Sequence, residues 1–309
     1  MSVDKLITQN FRNLDGVLID FHPKLNFFVG DNGSGKSSLL EAIFFLGHGK
    51  SFRTSKVNSL ACHETQNFVV SVKDSNDRQL GLSRDISTGL TNIKIDGERY
   101  SKLSVLAKNI AIQIVTPESF KLFFGGPKER RRFVDLGMFH VKHEFSTLWK
   151  TFNRVLKQRN ACIRSIDKFS DIDNNSMLTY WTEQFCQLSI EVTVLRASYV
   201  SDIILELNYW LAILLPDLSE RVTVQYLQGW SKKMALVDVL SSNQYREISF
   251  GYSLYGAHKF DVKFLLDKKA IETELSRGQQ KLFLLALTFA QASFIARVKV
   301  VKPILLIDD

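Results

Sequence analysis

Gly30-Asp31-Asn32-Gly33-Ser34-Gly35-Lys36-Ser37 combines, at fixed spacing, residue types that together suit a polyphosphate. Glycines let a backbone turn successive N–H groups toward one point, and the start of a following helix adds positive potential there. Lys36 supplies an ammonium that reaches β- and γ-phosphates, and the Ser37 hydroxyl is a hard oxygen ligand for Mg²⁺. The order Gly-x-x-x-x-Gly-Lys-Ser is the P-loop pattern, which Ser38 extends; it carries weight only between a strand and a helix. An apolar run (Leu25, Phe27, Phe28, Val29) precedes it, and a helical pattern (Leu39, Leu40, Ala42, Ile43, Leu46) follows. A chance glycine turn before a helix is the competing reading, and the complete match with both flanks argues against it. ATP with Mg²⁺ is the expected ligand.

Leu275-Ser276-Arg277-Gly278-Gln279-Gln280 is a second place suited to an anion. It opens another helical pattern (Leu282, Leu284, Leu285, Leu287, Phe289, Ala290), so a serine hydroxyl and unbonded N–H groups converge at a helix start. Serine is also an ordinary N-cap, which makes the motif weak by itself. Its position strengthens it, far downstream of the P-loop and just before Ile304-Leu305-Leu306-Ile307-Asp308-Asp309. Four apolar residues describe a buried strand, and the acids emerge at its carboxyl end, where a metal would sit beside Ser37. In this order the three segments resemble the P-loop, L-S-x-G-Q signature and Walker B of ABC-type ATPases. That resemblance implies that Ser276, Gly278 and Gln279 face the γ-phosphate held by a second subunit, giving a nucleotide-sandwich dimer. It implies also that Asp308 orders the metal with Ser37. Asp309 takes the place of the catalytic glutamate, with Lys36 and Ser276 beside it in the catalytic set. Aspartate is the shorter acid, so slow, Mg-dependent ATP hydrolysis is expected.

The elements that must position these residues change character along the chain. The first half reads mainly as strands, at Lys5–Thr8, Val17–Phe21, Leu25–Val29, Phe68–Val72, Gln79–Ser83 and Asn92–Ile95, with Ile110–Val115 as a further buried strand. Asp74-Ser75-Asn76-Asp77 and Asp96-Gly97 are turn signals between them, so a β-meander is expected after the P-loop helix. From Lys128 onward the period becomes helical. Phe145, Leu148, Phe152 and Val155, then Leu178, Trp181, Phe185, Leu188, Val192, Leu195 and Tyr199, keep steps of three and four. The loop at 170–175 lies between them, which predicts an antiparallel helical hairpin, a short coiled-coil-like arm. Pro216-Asp217 ends it, a mixed segment follows, and Phe260–Leu266 reads as a strand. The expected fold class is α/β, an ABC/SMC-type ATPase head lobe (1–125 and 246–309) with an inserted, mainly helical lobe (126–245).

With 309 residues the chain has room for one large or two ordinary domains. Apolar content of 45% and charged content of 23% are ordinary for a soluble protein, and the longest apolar runs are shorter than a bilayer span requires. No basic-then-apolar leader opens the sequence, and three cysteines without C-x-x-C spacing fit buried thiols in a reducing cytoplasm. A formal charge of +8 suits a polyanionic partner, though solvated basic faces are common. His140-Val141-Lys142-His143 invites a metal reading, but no acid or cysteine completes a ligand set, so a structural role is expected.

Beyond these motifs the chain resembles the RecF family of SMC-like recombination mediators along nearly its whole length. The matching segments are Asn10-Phe11-Arg12-Asn13, Gly49-Lys50-Ser51-Phe52-Arg53-Thr54, Thr116-Pro117-Glu118 and Gly125-Gly126-Pro127-Lys128-Glu129-Arg130-Arg131-Arg132-Phe133-Val134-Asp135, then Leu275 to Lys281. The resemblance implies an ATP-dependent DNA clamp in recombinational repair and replication restart. Its partners would be duplex DNA and single-strand/double-strand junctions, RecR and RecO, and its outcome RecA loading at single-strand gaps. An ATP-dependent homodimer in the cytoplasm, away from membranes, is expected. Arg12 and Asn13 would lie near the phosphates. Lys50, Arg53 and Lys56, with Lys128, Arg130, Arg131 and Arg132, are the candidate DNA contacts, binding phosphates rather than reading bases. The competing reading has the arginines beside Gly-Gly-Pro brace the arm against the ATPase lobe through Asp135 and Glu129. Two features depart from the family pattern. Gly256-Ala257-His258-Lys259 stands where Gly-Pro-His-Arg is usual, and no standard Q-loop glutamine is evident, Gln113 being nearby but within the segment read as a buried strand. The family's D-loop and switch residue would follow Asp309, so a chain trimmed at its C-terminus or cut by a broken reading frame is expected, with its hydrolysis an open question. A nucleotide-binding scaffold without turnover and a transporter ATPase subunit are the alternative readings.

Overall fold

The computed structural model describes residues 3–142, 144–166, 176–299 and 302–308. The chain forms two compact units, 1–118 with 295–309, and 119–294. This division follows packing. The motif-based division groups 246–294 with the P-loop by shared chemistry instead.

In the first unit, β1 (Val3–Gln9), β2 (Val17–Asp20), β3 (Asn67–Asp74), β4 (Gln79–Asp85), β5 (Thr91–Ile95) and β6 (Glu98–Tyr100) form one antiparallel sheet in the order β2-β1-β3-β4-β5-β6. Alternate side chains of β3 are buried (Phe68, Val70, Val72), as a half-covered sheet requires. The expected turns are present. The Asp74 carboxylate accepts from the N–H groups of Asn76 and Arg78, and Asp96-Gly97 takes positive φ at both residues between β5 and β6. Helix α1 (Lys36–His48) covers the sheet, and Leu39, Ala42, Ile43, Phe45 and Leu46 share one core with Leu6, Phe11, Phe68 and Leu80. Full burial of each large side chain is worth about 1.5–3 kcal/mol, so this face fixes where the helix begins. Behind α2 (Leu103–Asn109), β7 (Ile112–Val115) pairs in parallel with β11 (Ile304–Ile307), from Ile112 opposite Ile304 to Val115 opposite Ile307. Gly47 of α1 lets Ile112 approach closely, since a Cβ there would meet the Ile112 Cδ1 at 2.6 Å.

Leu25–Val29 differs from expectation. It joins no ladder among the described residues. Phe28 packs toward the core, edge-on to Phe21 with ring centroids 6.0 Å apart, whereas Leu25, Asn26, Phe27 and Val29 are exposed.

In the second unit, α3 (Lys121–Phe124) and α4 (Pro127–Val141) lead to α5 (Phe145–Ser165) and α6 (Ser176–Leu214). Phe152 meets Phe185 and Arg159 meets Thr182, while Arg196 lies over Trp149, so α5 and α6 run antiparallel as the spacing predicts. The connecting loop at 170–175 lies outside the described residues. The seam is less apolar than expected: Arg159, Ser189 and Arg196 are buried in it, while Trp181, Leu188 and Leu195 are only partly covered. Pro216 ends α6 as read. The mixed segment that follows contains β8 (Val222–Leu227), α7 (Leu236–Ser242) and α8 (Gln244–Phe250). β9 (Asp261–Leu266) lies between β8 and β10 (Lys269–Ala270) in an antiparallel sheet. The short α9 (Ile271–Glu274) and the long α10 (Arg277–Val298) complete the unit's chain path. By length and composition α10 could cross a bilayer, contrary to expectation. Phe283, Leu284, Leu287, Ala290 and Phe294 are buried, which is how a core helix also reads.

Candidate nucleotide site

The P-loop enters α1 through two left-handed glycines, Gly33 at φ +83° and Gly35 at φ +103°. Gly35 is doubly constrained, because a Cβ there would also stand 3.1 Å from the Asn13 amide and from Leu14. Asn13 is thus brought to the loop, where its Nδ2 donates to the Gly33 carbonyl at 3.2 Å. The Lys36 ammonium donates to the carbonyls of Gly30 at 2.5 Å and Asp31 at 2.8 Å, which holds the charge over the loop. No acid occupies the first turn of α1, so nothing there opposes an anion at its N-terminus.

Ser37 donates from Oγ to a carboxylate oxygen of Asp308 at 3.1 Å. The β7–β11 pairing makes that contact, since Asp308 follows the last paired residue and its N–H donates to the Val115 carbonyl at 2.9 Å. A hydroxyl and a carboxylate side by side are hard oxygen ligands of the kind Mg²⁺ takes. No group of three or more His, Cys, Asp or Glu suited to a metal occurs among the described residues. That is compatible with Mg²⁺, which is usually held by one or two protein oxygens together with substrate phosphates. Asp309 and His143 lie outside the described residues.

Arg12, expected near the phosphates, is paired with an acid of α1. Its guanidinium grips Glu41 with Nε and a terminal nitrogen, both at 2.9 Å, and donates to the Ser59 carbonyl at 3.0 Å. Glu41 is fully buried on α1, five residues after Lys36, and also accepts from Ser51 and pairs with Arg53 at 3.5 Å. Sequence reading missed Glu41, because a single acid in an apolar helix carries no motif.

The signature turn, within the second unit, is a reciprocal cap. Gln279 accepts from the Ser276 N–H at 2.9 Å through its side chain, and its own N–H donates to Ser276 Oγ at 3.3 Å. The serine hydroxyl proton and the N–H groups of Arg277 and Gly278 have no partner among the described residues. A Cβ at Gly278 would meet nothing within 4 Å. Glycine in a helix costs about 1 kcal/mol against alanine, and no contact among the described residues requires it here.

The basic candidates divide. Lys50, Arg53, Lys56, Lys128 and Arg132 are exposed. Arg130 is instead bound through two nitrogens to Asp261 at 2.9 and 2.8 Å, and Arg131 donates to the Phe260 carbonyl at 3.1 Å. Bracing is therefore real for these two, but through β9 and its preceding residue rather than through Asp135 and Glu129. Glu129 pairs with Arg132 at 3.7 Å, and Asp135 pairs with the buried Arg196 at 2.9 Å. The loop at 256–259 is structural as well: the Ala257 carbonyl accepts from Arg196, and the partly buried His258 has its pKa pushed down to about 4, chiefly by desolvation. Gln113 lies within β7 and is 4% exposed. The three cysteines are free and only partly buried.

Similarity to known proteins agrees with this geometry. The family model described as RecF/RecN/SMC N terminal domain matches residues 2–309. The DNA replication and repair protein RecF of Colwellia psychrerythraea is 69% identical over all of this chain and 80% of its own length. The corresponding protein of Pseudoalteromonas translucida is 40% identical, over all of this chain and 84% of its own. Among solved structures, the recombination mediator RecF with ATP superposes with a TM-score of 0.86 at 22% identity, covering 100% of this chain and 84% of that one. The Smc head domain of Pyrococcus furiosus shares the fold more distantly, with a TM-score of 0.51 at 15% identity over 100% of this chain and 89% of that one. Matched along its whole length both by the domain model and by a close relative, the chain belongs to the RecF family.

Proposed function

We propose that the chain is an ATP-gated DNA clamp of recombinational repair and replication restart. ATP binds at the P-loop, with Mg²⁺ between Ser37, Asp308 and the β- and γ-phosphates. The γ-phosphate is then covered by Ser276 and the N–H groups of Arg277 and Gly278 from a second copy, and the dimer closes on duplex DNA. The observation that carries this reading is the Ser37–Asp308 contact, a hydroxyl and a carboxylate of the kind Mg²⁺ takes as ligands, beside the glycine-rich loop. Gly278 supports the sandwich, because its missing side chain leaves room for a group from outside the chain. The relatives' designation as DNA replication and repair proteins supports the setting, as does the ATP bound by the solved RecF. The net charge of +8 and the exposed Lys50, Arg53, Lys56, Lys128 and Arg132 support a phosphate-backbone partner. By the same family logic RecR and RecO are the protein partners, and loading of RecA at gaps, in the cytoplasm, is the outcome. Hydrolysis is slow and serves to reopen the clamp.

Light scattering with and without Mg-ATP tests the sandwich. The chain should dimerise with Mg-ATP, whereas Lys36→Ala and Ser276→Arg should stay monomeric. A monomer that binds Mg-ATP tightly would leave a nucleotide-binding scaffold in place of the clamp.

A further inference from the structure

Ser276 has to be held somewhere specific if it is to meet a phosphate on another molecule, and the element before it cannot do this alone. α9 spans only four residues, Ile271–Glu274, too few for a self-supporting helix. The chain then runs through Leu275 to Ser276, where α10 begins. One side chain spans this turn from within α10. Gln280 is 5% exposed, and its Nε2 donates to the carbonyl of Glu272 at 3.2 Å and to that of Leu275 at 3.0 Å. Its N–H meanwhile makes the first helical bond, to the Ser276 carbonyl at 2.8 Å. Gln279 fixes the polar atoms of Ser276, and Gln280 fixes the backbone that leads into it and the Ser276 carbonyl itself.

We infer that Gln280 is a positioning residue for the ATP-joined dimer, holding Ser276 and the N–H groups of Arg277 and Gly278 where a second copy's γ-phosphate can meet them. This rests on the sandwich reading above. The residue type is specific to the task. Two carbonyls need two N–H donors converging from one atom, which a primary amide provides. An ionised glutamate of the same shape only accepts, and methionine of similar length neither donates nor accepts strongly. Gln280 itself does not touch nucleotide; the P-loop that binds ATP in the same copy lies in the other unit of the chain.

The test compares wild type with Gln280→Met, and with Gln280→Asn as a milder change that keeps the amide. Three quantities are measured: affinity for a fluorescent ATP analogue at low protein concentration, Mg-ATP-driven self-association by analytical ultracentrifugation, and folded fraction by circular dichroism. Gln280→Met should bind the analogue within about twofold of wild type yet associate at least about tenfold more weakly while folded, with Gln280→Asn between the two. Self-association that is unchanged in Gln280→Met, or that falls only with its folded fraction, overturns the assignment. If Gln280→Met does not fold, wild-type association by folded Gln280→Asn overturns it equally. Ser276→Arg separates this outcome from failure of the sandwich. If Ser276→Arg abolishes association while the Gln280 variants keep it, only the positioning role falls. If wild type does not associate with Mg-ATP, the sandwich falls and the role falls with it.

Discussion

Ser37 and Asp308 are 271 residues apart in sequence, yet the serine Oγ donates to the aspartate carboxylate at 3.1 Å. Parallel pairing of β11 with β7 delivers the acid, and packing of α1 on the sheet core delivers the hydroxyl. The contact joins a motif near the start of the chain to one near its end, so it reports that both have folded around one point.

Asp308→Asn preserves the shape of that contact and removes its charge. Isothermal titration should show that Mg²⁺ no longer strengthens ATP binding, a loss of about tenfold or more, while affinity in EDTA is unchanged. Equal Mg²⁺ dependence in wild type and variant would place the metal elsewhere.

Arg12→Ala strands the fully buried Glu41, with Ser51 and the longer Arg53 contact as its remaining partners. Breaking a buried pair in this way costs about 3–5 kcal/mol, to be read as a lower urea midpoint. ATP affinity at low denaturant should fall much less than in Lys36→Ala. Unchanged stability with a large loss of ATP affinity would return Arg12 to the phosphates.

Arg130→Ala and the pair Lys128→Ala and Arg132→Ala should separate fold from DNA contact. Arg130 and its partner Asp261 have side chains only 12% and 9% exposed, so the first change should lower stability by about 3 kcal/mol or more. The two exposed residues should leave stability within about 0.5 kcal/mol of wild type. Each should reduce the slope of log affinity for duplex DNA against log salt by about one. An equal loss of slope in folded Arg130→Ala would show that its ion pair opens to DNA.

His258 makes stability depend on pH. Burial pushes its pKa down to about 4, helped by Lys259, Arg131 and Arg159, while its Nε2 donates to the Ser253 carbonyl at 3.0 Å. The unfolded chain therefore takes up a proton near pH 6.5 that the folded chain refuses, so stability is full above that pH. It should fall by about 3 kcal/mol between pH 6.5 and 4 and then level off as the folded histidine also protonates. Subtracting the profile of His258→Gln isolates this contribution from other groups, including Asp135, whose pKa burial raises. A difference profile that is flat over that range would show that His258 is accessible to protons.

Segments whose chemistry is local were legible in the sequence. The P-loop, the signature turn, the Asp96-Gly97 hairpin and the α5–α6 stripe each follow from a few adjacent residues or a fixed period. What was not legible depends on distant partners. Nothing in Gly-Gly-Pro-Lys-Glu-Arg-Arg-Arg reveals that Arg130 belongs to Asp261, because the pair is 131 residues apart. The α6 seam hid Arg196 for the same reason: its cost is offset by Asp135 and by the faces of Phe260 and Trp149, drawn from three other segments. Leu25–Val29 is an apolar run suited to a strand, but a ladder needs a neighbour, and neighbours are a property of the fold.

In the proposed clamp, ATP gates DNA binding. Fluorescence anisotropy of a labelled duplex, titrated with the 309-residue chain at two salt concentrations with and without Mg-ATP, tests it most directly. Binding should require Mg-ATP, weaken steeply at the higher salt and disappear in Ser276→Arg. Equal binding without nucleotide, or none at all in a sample shown to hold Mg-ATP, would contradict the clamp.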